Sequence, residues 1–304
     1  AMNPRSATTQ RQLALSLFAA GEPHDAVLQA LGQSWELRAE SDRKAVELSD
    51  RAALAALEGD LAGATSLVAD WLAAVAARPD QSAHATPAFE LADLHTEMGE
   101  PAKAAAAAED FQRHMGAWTD PPEGDWTLTA LGYQLRAGKV TRAGFAEARA
   151  AWLERVRAKW RAAGKRLDVD ADWSLWSGAY GWLVDGEADA REALAALPRA
   201  TSAAVSTGRW TSVDLFAGKS YALAGDFAAA LPHLRRAARS CATLAEPLTA
   251  TRAQLWLGVA LEGSGDREGA RAAYEAVLRR WGAAKPRSLT AEQAQARLAS
   301  LGAR

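Results

Sequence analysis

The chain has 304 residues, 49% hydrophobic and 24% charged, the composition of a folded globular protein rather than a disordered or fibrous one. A formal net charge of −2 implies neither a nucleic-acid binder nor a strongly acidic tail, and one cysteine, Cys241, excludes an internal disulfide framework or a CxxC metal site. No run reaches the roughly 18 apolar residues of a membrane span, and no basic segment followed by an apolar core opens the chain, so a cytoplasmic location is expected. Alanine is abundant while Val, Ile and Thr are sparse. Ala has the best helix propensity and strands favour β-branched residues, so the composition predicts an all-α protein.

Taken in order, the chain repeats one pattern: an apolar helical segment, a glycine followed by a polar residue, and a second segment with a small residue five positions on. The glycines are Gly21, Gly59, Gly99, Gly138, Gly186, Gly225 and Gly265, at spacings of 38, 40, 39, 48, 39 and 40 residues. A period of this size marks a repeat array of helical hairpins. The small residues are Ala26, Ala64, Ala104, Ala143, Ala230 and Ala270, where two antiparallel helices must approach closely. Pro23 and Pro101 sit just past their turns, near the first turn of a helix, where a missing N–H costs nothing. Residues 40 to 50 extend the first helix of the second unit. The TDPPEGD segment predicts a linker over 120–126, separating repeats 1–119 from repeats 127–304. In the fourth unit the second helix runs on to about Trp160. The fifth unit is irregular, with an extra KRLDVDADWSLW stretch and Arg191 where the small residue belongs. After Pro286 a single helix opens with Ser288 as N-cap and closes the array as a cap.

The two last full units align residue by residue: Gly218, Tyr221, Gly225, Ala230 and Leu234 in one, Gly258, Leu261, Gly265, Ala270 and Tyr274 in the next. With Leu257-Gly258, Gly265-Asp266, Ala270 and Tyr274, this unit resembles a tetratricopeptide repeat, although the period exceeds that family's usual ~34 residues. The segments AEDFQRHMGAW and AYEAVLRRWGAAKPRSLTAEQAQARLASLG also resemble the helical C-terminal regions of bacterial, eukaryotic-like serine/threonine protein kinases. The catalytic parts of a kinase are missing: there is no glycine-rich phosphate loop, HRD or DFG, and the only asparagine is Asn3. The resemblance implies a right-handed tetratricopeptide-like α-solenoid of about six or seven helix pairs with a C-terminal capping helix. It also implies a non-catalytic scaffold or sensor module, a region of a bacterial signalling protein, whose concave groove binds a partner peptide, a protein or another copy of itself.

In tetratricopeptide arrays the first helix of each pair lines the groove, and by that resemblance Leu215, Lys219, Arg252 and Glu262 face it. Lys219 and Arg252 would pair with a carboxylate or phosphate on the partner, the alternative being ordinary solvated charges. Trp173, Trp176 and Tyr180 fall at i, i+3 and i+7 of one helix, inside the irregular unit. They form either an aromatic platform for the partner or a packed core stripe, the commoner meaning of such spacing. A carboxylate clamp built from asparagines is excluded by the composition.

No metal, cofactor or catalytic residue is expected. The five histidines (24, 84, 95, 114 and 233) have no ligand spacing, and Cys241 reads as a small buried hydrophobe. Two alternatives remain open. One is an α-helical enzyme resembling the helical toroids that act on sugars, which needs Asp170, Asp172 or Asp185 facing Trp176 across a pocket. The other is a nucleic-acid-binding array using Arg155, Arg157, Lys159 and Arg161 with Trp160 stacked on a base.

Overall fold

The computed structural model describes residues 6–76, 82–115, 125–164, 168–199, 211–239, 244 and 246–302. Among these the chain forms 15 α-helices and no strand. Two hairpins open it, α1 (Ala7–Ala20) with α2 (His24–Glu36) and α3 (Glu40–Glu58) with α4 (Leu61–Val75). Then come α5 (Ser82–Glu97) with α6 (Pro101–Met115) and α7 (Thr127–Arg136) with α8 (Arg142–Ala162). The irregular unit holds α9 (Val169–Ala179), a 3₁₀ turn at Gly181–Leu183 and α10 (Glu187–Ala195). The last hairpins pair α11 (Thr211–Leu223) with α12 (Phe227–Ala238) and α13 (Thr249–Gly263) with α14 (Arg267–Trp281), before the final α15 (Leu289–Gly302).

Six of the seven marker glycines turn the chain in the same way. Gly21, Gly59, Gly99, Gly138, Gly225 and Gly265 all have φ between 72 and 89°, the left-handed region that ends a helix at little cost only when Cβ is absent. At each, two amides close the same pair of hydrogen bonds onto the preceding turn. Asp226 N donates to the Tyr221 carbonyl at 2.9 Å, and Asp266 N donates to the Leu261 carbonyl at 2.9 Å. Gly225 and Gly265 thus occupy equivalent corners. The following aspartates then cap the next helix: Asp60, Asp226 and Asp266 accept from Gly63 N, Ala229 N and Gly269 N at 2.8–3.0 Å. Gly186 is the exception, extended at φ −155° and acting as an N-cap. Its hairpin is one residue shorter, so Ala190, not Arg191, is the buried small residue there.

Ala64, Ala104, Ala230 and Ala270 are at most 1% exposed, as the close approach of paired helices requires. Ala26 is only partly buried, and Ala143 departs further and is exposed. The start of α8 is held instead by Phe145, packed with Leu128 and Ala179. Across the hairpins, glycines on the first helix receive large side chains from the second: a Cβ at Gly218 would lie 2.5 Å from Leu234 Cγ, and one at Gly258 2.4 Å from the Tyr274 ring.

The two ends of the chain share one core. Ala52, Ala56, Leu61, Val68, Leu94 and Met98 pack with Leu255, Val259, Tyr274, Val277, Trp281 and Ala294. Polar contacts pin the same junction. Trp281 Nε1 donates to the Ala56 carbonyl at 2.9 Å, and Lys285 N donates to the Gly59 carbonyl at 2.9 Å. Gly59 is required here twice over, for its φ of +85° and because a Cβ would meet the Arg280 carbonyl at 3.2 Å. Arg11 joins in by an ion pair to buried Asp50 at 2.8 Å and a bond to the Leu244 carbonyl at 3.2 Å. Most of the expected 120–126 linker lies outside the described residues. On either side of it α6 and α7 share a core, in which Ala104, Ala108 and Phe111 meet Ala130 and Tyr133.

Candidate functional site

The closure wraps the first helix of several hairpins around a cleft-like cavity of about 720 Å³. Each wall helix contributes one stripe. Phe89, Glu90, Asp93 and Glu97 come from α5, Thr129, Tyr133 and Arg136 from α7, and Ser212, Leu215, Phe216 and Lys219 from α11. Arg252, Leu255 and Trp256 come from α13. Spacings of three and four put these residues on one helical face. The turn after α9 adds Trp182 and Asp185, and α15 adds Thr290. A row of rings runs along the wall, from Trp126 to Phe89 (5.4 Å), Phe89 to Tyr133 (6.1 Å) and Tyr133 to Trp182 (5.2 Å).

Charged side chains fill the gaps between the rings in two clusters. In one, Arg252 Nε donates to Glu97 Oε2 at 2.8 Å, and its Nη1 lies 3.8 Å from Asp93 Oδ1. Glu97 is 3% exposed and also accepts from Ser288 Oγ at 2.7 Å, Thr290 N at 2.9 Å and Thr290 Oγ1 at 3.0 Å. One carboxylate therefore ties α5 to α13 and α15. Burial pulls the Arg252 guanidinium down, but Glu97 and Asp93 outweigh it and hold it above its ordinary value. In the other cluster Asp185 accepts from Arg136 Nε at 3.2 Å and from Lys219 Nζ at 3.2 Å. Burial raises Asp185, but those two cations win and hold it below the usual carboxylate range. Lys219 keeps 17% of its side chain exposed, yet that exposure is to the cavity, where protein surrounds the ammonium. Burial accordingly depresses its pKa, with Arg136 adding repulsion.

Two carboxylates of the wall have no cation among the described residues. Burial, reinforced by Asp93, pushes Glu90 up to about 7. Burial also raises Glu246, outweighing hydrogen bonding to Ser212 and Thr249; Ser212 Oγ lies 3.2 Å away, and Oε2 is enclosed with no partner within hydrogen-bond distance among the described residues. The indole Nε1 of Trp126 is likewise buried and unpartnered there.

Of the groove residues expected from the sequence, Leu215, Lys219 and Arg252 stand on this wall. The others do not. Trp173 and Trp176 are 4% and 2% exposed, edge to face at 5.6 Å, and Trp176 Nε1 donates to the Ala193 carbonyl at 2.8 Å. They form the core between α9, α10 and α11, because that face of α9 turns toward α10 rather than toward the cavity. Tyr180 lies under the Arg149 guanidinium, 4.2 Å from its ring centre, beside a smaller pocket. Glu262 accepts from the Tyr274 hydroxyl at 2.8 Å and pairs with Arg297 at 3.2 Å, so it braces α13 against α14 and α15.

Asp185 is on the cavity wall, facing Trp182 rather than Trp176, and neither Asp170 nor Asp172 lines it. In the basic segment Trp160 is 7% exposed in a core with Val156 and Leu175, and Arg155 pairs with Asp125 at 2.7 Å. The ring is thus not presented for stacking on a base. His24, His95 and His233 pair with Glu58, Glu100 and Asp214 at 2.6–2.8 Å, and no metal-ligating group occurs among the described residues. Cys241 lies outside them. Sequence reasoning missed Glu90, Asp93, Glu97, Tyr133 and Arg136, which belong to units where the repeat was not read down to single positions.

No protein-family model matches the chain, and no curated protein matches its sequence. No helix among the described residues is long and apolar enough to cross a membrane.

Proposed function

We propose that the chain is a non-catalytic recognition module of the tetratricopeptide-like kind, a right-handed superhelix of helix pairs with a capping helix. An extended segment of a partner protein or peptide enters its inner cavity. The observation that carries this reading is the convergence of stripes from the first helices α5, α7, α11 and α13 on one cavity of about 720 Å³. That volume lies within the range of about 300–1,000 Å³ common for ligand pockets, enough for a few side chains and too small for a folded domain. Aromatic rings and paired charges in a wall braced by buried ion pairs make a preorganised surface, which lowers the cost of ordering on binding. A regulatory role in a bacterial signalling protein of the cytoplasm is the context we favour.

The test is a peptide display selection run in parallel on the wild-type chain and on Thr129→Trp, which fills the cavity from its α7 wall. Peptides that bind the wild type and lose about tenfold or more in affinity to the variant are expected. A selection returning no binders, or binders indifferent to Thr129→Trp, would remove the reading.

One observation favours a second reading, an α-helical enzyme with an aromatic-lined pocket. Glu90, held near neutrality beside Asp93 and close to Trp126, has the character of a general acid. Turnover of a panel of aryl glycosides, abolished by Glu90→Gln, would establish it over the first.

A further inference from the structure

We infer that the cavity selects a cationic side chain, the Lys or Arg of an extended peptide, and seats it against Glu90 beside the Phe89 and Trp126 rings. This deepens the recognition reading above and rests on it.

The wall's own charges point to the sign of the occupant. Among the described residues it carries five carboxylates, Glu90, Asp93, Glu97, Asp185 and Glu246, against three cations, Arg136, Lys219 and Arg252. Each cation is engaged from within: Arg252 by Glu97 and Asp93, Arg136 and Lys219 by Asp185. The Asp185 cluster thus keeps one cation over and the Arg252 cluster one carboxylate over, so these two cancel, and the wall's negative surplus equals the charge of Glu90 and Glu246. An anionic occupant would have to share Arg136 and Lys219 with Asp185, whereas a cationic one finds Glu90 and Glu246 without counter-ions among the described residues.

A second observation marks the place independently of charge. Beside Glu90 on the wall, Glu246 Oε2 and Trp126 Nε1 are buried without partners among the described residues. Buried polar atoms are nearly always satisfied, so unsatisfied ones gathered on one cavity wall ask for a donor and an acceptor from outside the chain. A guanidinium or ammonium donates to Glu90, and the peptide's own backbone carbonyls can accept from Trp126. Phe89 and Trp126, 5.4 Å apart, line the same wall, where aromatic rings suit the aliphatic stem and the charged head of such a side chain.

The test uses the full chain and the peptides recovered from a random display library, resynthesised with each Lys or Arg replaced by norleucine or citrulline. Expected is one basic position whose neutral replacement weakens binding about tenfold or more. Glu90→Gln should weaken the parent peptide by a similar factor and leave the neutral counterpart unchanged, the signature of a direct pair in a double-mutant cycle. Binders blocked by Thr129→Trp but lacking a required cation, or indifferent to Glu90→Gln, would overturn the inference while leaving the recognition reading intact. Recovery of no peptide whose binding Thr129→Trp weakens would remove the reading itself. If agmatine saturates the site in a Glu90-dependent manner while no peptide binds, the peptide occupant is wrong. Should Glu90→Gln fail to fold, the citrulline replacement decides alone, because it leaves the protein untouched.

Discussion

At Glu90 the protein holds a carboxyl group whose proton is worth more in the folded state than in the unfolded one. Its pKa rises from an ordinary 4.5 to about 7, chiefly through burial. Between these values the folded chain keeps a proton that the unfolded chain releases. Stability therefore falls as pH climbs from 4.5 to 7 and stays reduced above. Glu90→Gln removes the charge without changing the shape, so in urea unfolding at pH 8 the variant should be more stable than wild type by roughly 1–3 kcal/mol. The gain should shrink toward zero near pH 4.5. Equal stability at both pH values would mean that water reaches Glu90 freely. A second residue-level case is Gly258, where a Cβ would sit 2.4 Å from the Tyr274 ring, itself fully buried. Gly258→Ala should cost about 1–3 kcal/mol by overpacking in the same assay, whereas Gly32→Ala, with nothing within 4 Å, should be neutral or stabilising.

Helix by helix, the repeat register was legible and the cavity's chemistry only partly so. The αL glycines, three of them followed by a capping aspartate, announce six of the hairpin corners from sequence alone, because no other residue type tolerates that backbone so cheaply. The same register hides a signal that went unread. Counting nine positions back from the marker glycines 99, 138, 186, 225 and 265 lands on Glu90, Thr129, Ser177, Phe216 and Trp256, all on the cavity wall. Trp173 and Trp176 misdirect because helical spacing shows that three aromatics share a face but not which neighbour that face meets. Between elements, the Arg252–Glu97 pair clamps α13 to α5 at 2.8 Å. Arg252→Met strands a carboxylate that is 3% exposed and should cost about 3–5 kcal/mol in urea unfolding. The double variant Arg252→Met with Glu97→Met should cost clearly less than the sum of the two singles. A loss under about 1 kcal/mol for the single variant would place the pair in solvent.

For the whole molecule, the decisive feature is that residues 52–98 and 248–301 build one core. Nothing in the sequence announces it. The contacts pair ordinary Leu, Val and Ala side chains far apart in the chain, and a hairpin array is equally readable whether its ends stay apart or meet. Because the cavity exists only where α5 stands opposite α13, every statement about its occupant depends on that junction. Amide and indole hydrogen exchange followed by NMR reads it directly, at the Trp281 indole N–H on the Ala56 carbonyl and the Lys285 amide on the Gly59 carbonyl. Both should exchange as slowly as the α13 core amides, opening only with global unfolding. Exchange of these two protons at the rate of a solvent-exposed group, with α13 still protected, would mean that the ends part and the cavity is not built.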